Sequence, residues 1–202
     1  ETRSWSERVV RGADAVLGEA LASMLSDVAS IDLVVVSVGP GAFTSLRVGV
    51  ATALGLALAQ DCSVLGVSSL EARAQMLEGS GRVLALLDAR KSRAYVGAYQ
   101  WTESGLVAMG EEQDLVPEKA VLLAGNGAFR AVGEGAAVWG ELVAAAGGEV
   151  VAEPERSPAA WMARTGWSRR SQSVPPGEIR LRYLREPDAR KPSPPGAGGF
   201  SQ

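Results

Sequence analysis

Val34-Val35-Val36-Ser37-Val38-Gly39-Pro40-Gly41-Ala42-Phe43-Thr44-Ser45-Leu46-Arg47 reads as a strand, a tight turn and the start of a helix. The β-branched run at residues 33–38 lacks polar alternation, as in a strand buried on both faces. Gly39-Pro40-Gly41 lets the backbone bend sharply and expose amides, and the helix N-terminus after it favours anions. Thr44 and Ser45 are candidate caps. Arg47 falls in the first turn, where the helix dipole disfavours a cation, so a carboxylate, phosphate or partner acid is expected nearby. Two readings of residues 39–47 stand side by side: a ligand-contacting loop, or an ordinary structural turn.

Working outward, the helix through residue 59 carries unusually small side chains at Gly49, Ala51, Thr52, Ala53, Gly55 and Ala57. Small residues let another backbone approach, either within the same domain or from another subunit. Upstream, Val9, Val10, Ala13, Leu17, Ala20, Leu21, Met24 and Val28 recur at helical spacing over residues 7–28, with Ser4 or Ser6 as N-cap. Gly12 and Gly18 weaken that helix by about 1 kcal/mol each unless something packs closely there. Downstream, a short strand is expected at 63–67. Ser68-Ser69-Leu70-Glu71 has capping-box spacing and opens a helix to residue 77. A buried strand at 83–87 ends in Asp88-Ala89-Arg90. Residues 95–101 and 106–109 form a hairpin around Glu103-Ser104-Gly105. A further strand is expected at 120–124, closed by Gly125-Asn126-Gly127, and the Gly/Ala-rich stretch to 148 has no clear period. Ser157-Pro158 starts a last helix to 171. Helices alternating with buried strands predict an α/β fold with a mostly parallel or mixed sheet.

The chain has 202 residues, 47% of them hydrophobic, enough for a sizeable core. It contains no histidine, which removes Ser-His-Asp and Cys-His catalysis and His-ligated metals. One cysteine, Cys62, cannot form an internal disulfide or a thiolate zinc site, fits a reducing cytoplasmic setting, and reads as a small core residue. No apolar run reaches the roughly 18 residues of a membrane span. The net charge of -3 argues against a strongly basic nucleic-acid binder. Charge is uneven, however: residues 1–152 hold 11 basic and 18 acidic side chains, residues 153–202 hold 9 and 5. Asp88 at a strand end is a general base, a Mg²⁺ ligand or, more simply, a turn cap. Ser37 has neither a nucleophile-elbow motif nor a base beside it. Tyr95, Tyr99 and Trp101 alternate along a strand, as core packing or as a base-stacking platform.

These residues resemble the TsaB family of tRNA threonylcarbamoyladenosine biosynthesis proteins. Residues 39–49 are similar to its Gly-Pro-Gly-Ser-Phe-Thr-Gly-Val-Arg-Ile-Gly signature. Gly55-Leu56-Ala57-Leu58-Ala59, Gly66-Val67-Ser68-Ser69-Leu70, Asp88-Ala89-Arg90 with Tyr95, Gly125-Asn126-Gly127 and Tyr183-Leu184-Arg185 match further family segments in order. The resemblance implies an actin-like ATPase (ribonuclease H-like) fold with two lobes and mixed sheets. The N-terminal lobe would span 1–80, the C-terminal lobe 81–190, and a Pro/Gly-rich, disordered tail 191–202. It implies a cytoplasmic, non-catalytic subunit without metal. Its partner would be TsaD, the related subunit that holds the active site and moves threonylcarbamoyl to the adenosine next to the anticodon. The ATPase TsaE of the same pathway is a further implied partner, a homodimer is open to the chain alone, and tRNA contact is at most indirect. The heterodimer surface falls on the helices at 7–28 and 45–59, through Val9, Ala13, Leu17, Val48, Ala51, Thr52 and Gly55. Anion or polar contacts fall to Gly39, Gly41, Thr44, Arg47 and Arg90.

The departures from the family carry their own expectations. The family opens with a strand and an Asp-Thr turn, whereas Glu1 to Glu7 is polar here, so the first strands are expected to be missing. In the wider fold that turn approaches nucleotide phosphate, so no cofactor, ATP included, is expected. Arg11-Gly12-Ala13-Asp14 replaces the usual start of the first helix, Ser45 stands where the family has glycine, and Arg93 where it has glutamate. A rival reading is a small ATPase or phosphotransferase with residues 39–47 as phosphate cradle; a third is a homologue that kept the fold without the partnership. Arg164, Arg169, Arg170, Arg180, Arg182 and Arg185 form either a solvated basic face or an auxiliary tRNA contact.

Overall fold

The structure, a computed structural model, describes residues 3–7, 13–152 and 158–185. Val9, Val10, Arg11, Gly12, Ser157 and the tail at 191–202 lie outside them, as do the side chains of Ala13 and Asp14. Two sheets organise the chain. In the first, β1 (Leu33–Gly39) and β2 (Ser63–Ser68) run parallel, with Leu33 opposite Ser63 and Ser37 opposite Val67. α1 (Ala13–Met24) precedes them and packs on α2 (Phe43–Ala59), the crossover between the strands. The run of β-branched residues has the expected cause: Val34 and Val36 pack with Val50, Ala57 and Val64 on the α2 side. On the opposite face Leu33 and Val35 join Leu65, Val67, Ala72 and Met162.

The second sheet is mixed. α3 (Ser69–Gln75) leads from β2 to β3 (Gly81–Asp88), which pairs antiparallel with β4 (Ala94–Thr102). β5 (Gly105–Ala108) closes the hairpin expected around Glu103-Ser104-Gly105, and β6 (Gln113–Leu115) pairs with the other end of β4. After α4 (Pro117–Ala120), β7 (Phe129–Val132) lies parallel to β3; α5 (Glu134–Val138) and α6 (Gly140–Ala145) then lead to β8 (Gly148–Val150), parallel to β7. Leu84, Leu86, Val96 and Phe129 bury one face against Val121, Ala124 and Val143. Val83, Ala85, Leu87 and Tyr99 bury the other against Leu70, Ala74 and Leu77. α3 therefore sits between the sheets: Leu70 serves the second core and Ala72 the first. Tyr99, with Tyr95 and Trp101 packed beside it, is part of that core.

The end of the described chain returns to the first sheet. α7 (Pro158–Ser168) packs on β1 and β2, and Gly166 comes so close that a Cβ there would lie 2.5 Å from Val35 Cγ2. Val174 exchanges backbone hydrogen bonds with Val64, 2.9 Å each way, and Ile179 and Leu181 pack into the cluster beneath α2.

Several elements differ from expectation for identifiable reasons. Residues 117–124 are helical: α4 runs into a 3₁₀ turn, Val121–Ala124, in place of the expected strand. Pro117 is preset for a first helical turn, and Val116 O accepts from both Lys119 N and Ala120 N. Ala120, Val121 and Ala124 are buried and Leu122 is 68% exposed, a spacing of three and four that a short apolar run conceals. α1 ends at Met24, leaving Val28 exposed. α2 has Ala42 at its N-cap without a side-chain cap, so neither Thr44 nor Ser45 fills that role. Only half of the capping box forms: Ser68 Oγ accepts from Leu70 N (3.1 Å) and Glu71 N (3.3 Å), but Glu71 turns to Gln75 and Arg169. The last helix stops at Ser168, followed by a 3₁₀ turn at Arg170–Gln172.

Candidate functional site

The turn after β1 meets the end of the described chain. Gly39 has φ +113°, open to glycine and strained for other residues, and a Cβ there would lie 2.5 Å from Arg182 O. Arg182 N donates to Val38 O at 2.8 Å, so the segment around 182 lies directly against the turn. The Gly39-Pro40 peptide is cis. Gly41, Ala42 and Phe43 then line a cleft of about 280 Å³ with Asp88, Arg90, Glu134 and Arg185. Gly41 and Arg90 thus come together, while Thr44 and Arg47 lie outside the lining.

Asp88 caps its turn, with Oδ1 accepting from Arg90 N (2.8 Å) and Oδ2 facing Arg90 Nη1 (3.3 Å). Arg90, Lys91 and Ser92 all take left-handed φ values of 60°, 53° and 53°. Such backbone costs L-residues about 1–2 kcal/mol each, and here it is closed by Ala89 N–H to Arg93 O (2.9 Å) and Arg93 N–H to Arg90 O (3.1 Å).

Arg47 meets an aromatic pair in place of the expected acid. Its guanidinium stands 3.9 Å over the Phe43 ring, and Nε donates to the Tyr183 hydroxyl at 3.3 Å. The two rings themselves lie 5.2 Å apart. The π-faces supply the negative potential that the helix start denies this cation. Phe43 and Tyr183 were not candidates from the sequence; the helix-start spacing of Phe43 and Arg47, four apart, is the signal that was there to use.

The basic C-terminal region is largely an internal ion-pair system. Arg185 grips Asp114 through Nε–Oδ2 (2.6 Å) and Nη2–Oδ1 (3.0 Å), and Arg93 Nε joins Oδ1 at 2.7 Å. Arg182 Nη1 stands 3.1 Å from Glu112 Oε2, out of hydrogen-bond alignment, while Glu112 Oε1 accepts from Ser68 Oγ (2.5 Å) and Tyr99 OH (2.6 Å). Arg169 holds Glu71 at 2.5 Å, and Arg164 approaches Glu78 at 3.9 Å. Arg93, the charge reversal noted in the sequence, therefore has a partner in Asp114. Burial works to raise the Asp114 carboxyl, but the hydrogen bonds and charges of Arg185 and Arg93 outweigh it and hold the pKa below the ordinary value. Burial first, then the Glu112 charge, pushes the Tyr99 phenol far above its usual range. Burial also pushes the Cys62 thiol up, reinforced by Asp32.

On the outer helices, Ala51, Gly55 and Leu58 are exposed, Leu58 to 70%, while Leu17, Val48 and Thr52 are half-buried. Thr52 Oγ1 donates back to Val48 O at 2.9 Å. A Cβ at Gly18, Gly49 or Gly55 would meet nothing within 4 Å. Val9 lies outside the described residues and Ala13 opens α1. Ser37 Oγ pairs with Ser69 Oγ at 2.5 Å. Among the described residues no group of three or more His, Cys, Asp or Glu is placed to hold a metal ion, and no helix is long and apolar enough to cross a membrane.

The family model described as "TsaD: tRNA N6-adenosine threonylcarbamoyltransferase" matches residues 3–154. The tRNA threonylcarbamoyladenosine biosynthesis protein TsaB of Escherichia coli (strain K12) is 38% identical over 113 residues, covering 52% of this chain and 48% of its own length. An uncharacterized protein of Mycobacterium tuberculosis (strain ATCC 25618 / H37Rv) is 31% identical over 192 residues, 94% of this chain and 79% of its own. Among solved structures, YeaZ from Pseudomonas aeruginosa superposes with a TM-score of 0.73 at 26% identity, over 88% of this chain and 87% of that one. The chain spans about half the length of the relatives named TsaB that it matches.

Proposed function

Since the chain belongs to the TsaB family, within the wider family described as TsaD, and has its actin-like, ribonuclease H-like α/β fold, we propose that it serves the threonylcarbamoyladenosine modification of tRNA as a non-catalytic scaffold and activator. Its partner on this reading is a TsaD subunit, which performs the transfer. The observation that carries the reading is the trio Gly18, Gly49 and Gly55. Glycine inside a helix costs about 1 kcal/mol relative to alanine. Such a cost is understandable where a neighbour needs the space, yet among the described residues none fills it. A second backbone packed against α1 and α2 would.

The partner face on this reading comprises Leu17, Val48, Ala51, Thr52 and Gly55, with Leu58 at its far end; Ala13 and Val9 are assigned to it from the sequence alone. Arg47 and Arg90 stand at the edge of the N-terminal lobe, residues 1–80, to which 158–181 are attached; the C-terminal lobe holds the second sheet. The protein works in the cytoplasm, touches tRNA only through its partner, pairs with itself through the same face when alone, and meets TsaE only within the assembly. Titration calorimetry against TsaD from the same organism tests this. A complex of defined stoichiometry, with no transfer by this chain alone, is the expected result; absence of binding overturns the proposal.

The phosphate-cradle reading gains little. Asp88 and Glu134 place carboxylates in the cleft where phosphate would sit, and Arg47 is engaged with Phe43 and Tyr183. ATP with Mg²⁺ should leave the unfolding midpoint unchanged; a shift abolished by Arg47→Ala would restore that reading.

A further inference from the structure

Residues 179–185 touch nearly everything that meets at the junction of the two sheets. Ile179 and Leu181 pack beneath α2, Arg182 N–H holds Val38 O, and Tyr183 closes on Phe43 and Arg47. From the other side, Arg182 faces Glu112, and Arg185 binds Asp114 and also donates to Ala89 O at 3.2 Å. The two carboxylate side chains are only 7% and 8% exposed. Buried charges of this kind hold their partners in one geometry, because the alternative is an uncompensated charge. The first turn of α2, meanwhile, has no side-chain cap of its own.

We propose that residues 179–185 form a strap that fixes the first turn of α2 to the second sheet, with Tyr183 as the positioning residue. Arg47, Ala51, Gly55 and Leu58 recur at helical spacing along one exposed line of α2. The strap therefore sets the head of the face proposed above to meet TsaD, and the inference rests on that reading for its consequence in binding. Its mechanical content does not: the Tyr183 ring covers Phe43, its hydroxyl holds Arg47, and Asp114 and Glu112 anchor the backbone that carries it. Loss of the ring frees the first turn, Arg47 included, while leaving the side chains of Ala51, Gly55 and Leu58 further along the face in place.

Hydrogen exchange on the full chain, together with calorimetry against TsaD, tests this. In Tyr183→Ala, exchange at the amides of Leu46, Arg47 and Val48 should rise about tenfold, while Ala57, Leu58 and Ala59 at the far end stay unchanged. Tyr183→Phe, which keeps the ring stack, should restore most of the protection. Asp114→Asn should reproduce the effect from the second sheet, and both Tyr183→Ala and Asp114→Asn should weaken TsaD binding about fivefold. A merely structural role would raise exchange along all of α2. Unchanged or uniform exchange in Tyr183→Ala overturns the strap, whether or not Asp114→Asn folds. If wild-type chain fails to bind TsaD, the scaffold reading falls while the exchange pattern still decides the strap.

Discussion

Asp114 and Arg185 form a two-pronged ion pair across 71 residues of sequence, at 2.6 and 3.0 Å, and the carboxylate is almost fully enclosed. Its folded pKa lies below the ordinary 3.8, so the pair contributes stability at neutral pH that is lost as pH falls through the depressed value. Asp114→Asn should cost about 1–3 kcal/mol at neutral pH, where it removes the charge and replaces one of the two accepting oxygens with an NH2 group facing the guanidinium groups of Arg93 and Arg185. That deficit should shrink toward zero under acid conditions below the folded pKa. Urea unfolding of wild type and variant across the acid range checks the sign: a gap that widens on acidification contradicts the assignment.

Gly55 separates folding from association. With open space at its Cβ, Gly55→Ala should stabilise the isolated chain by about 0.5–1 kcal/mol, since alanine is the better helix former. Gly55→Leu should fold equally well but lose most of its affinity for TsaD, because the added side chain occupies the space proposed for the partner. Thermal unfolding and calorimetry on the same samples read the two effects.

At Gly166 the opposite result is expected. An added methyl would sit 2.5 Å from Val35 Cγ2, so Gly166→Ala should destabilise the fold by about 1–3 kcal/mol, with α7 lifting from β1. Chemical denaturation gives the magnitude, and a neutral substitution would show that α7 is free to shift.

Leu70, fully buried between the sheets, should be among the costliest truncations. Leu70→Ala is expected to lose about 2–5 kcal/mol and to reduce the protection of β3 amides against exchange.

Much of the architecture was legible because strong local signals agreed with it. Residues 33–38 are a strand buried on both faces, as an unbroken β-branched run requires, and the 95–109 hairpin turns where Glu103-Ser104-Gly105 places it. Residues 120–124 misled because five apolar or small residues satisfy a strand and a helix alike; Pro117 carried the deciding information three positions earlier. At the site, Gly41 and Arg90 do share a cleft, but of Arg47's two aromatic partners only Phe43 could be read locally. Tyr183 comes to it from far along the chain. The same holds for the basic C-terminal residues. The sequence shows six arginines over residues 164–185 with no obvious role, whereas Glu71, Glu112 and Asp114, which engage Arg169, Arg182 and Arg185, lie scattered through the preceding part of the chain.

The backbone bridge from Val64 to Val174 has a consequence for biosynthesis. The first sheet leaves the ribosome early, yet α7, the bridge to Val174 and the apolar pair Ile179 and Leu181 that complete its packing are translated only after the entire second sheet. Loop closure over such a span is slow, and a chain stalled before residue 158 exposes an uncovered β1–β2 surface. Nascent chains of this protein should therefore depend on a holding chaperone until translation passes the last strap residue, and truncation before residue 158 should send the early sheet to degradation even though every residue of β1, α2 and β2 has been made.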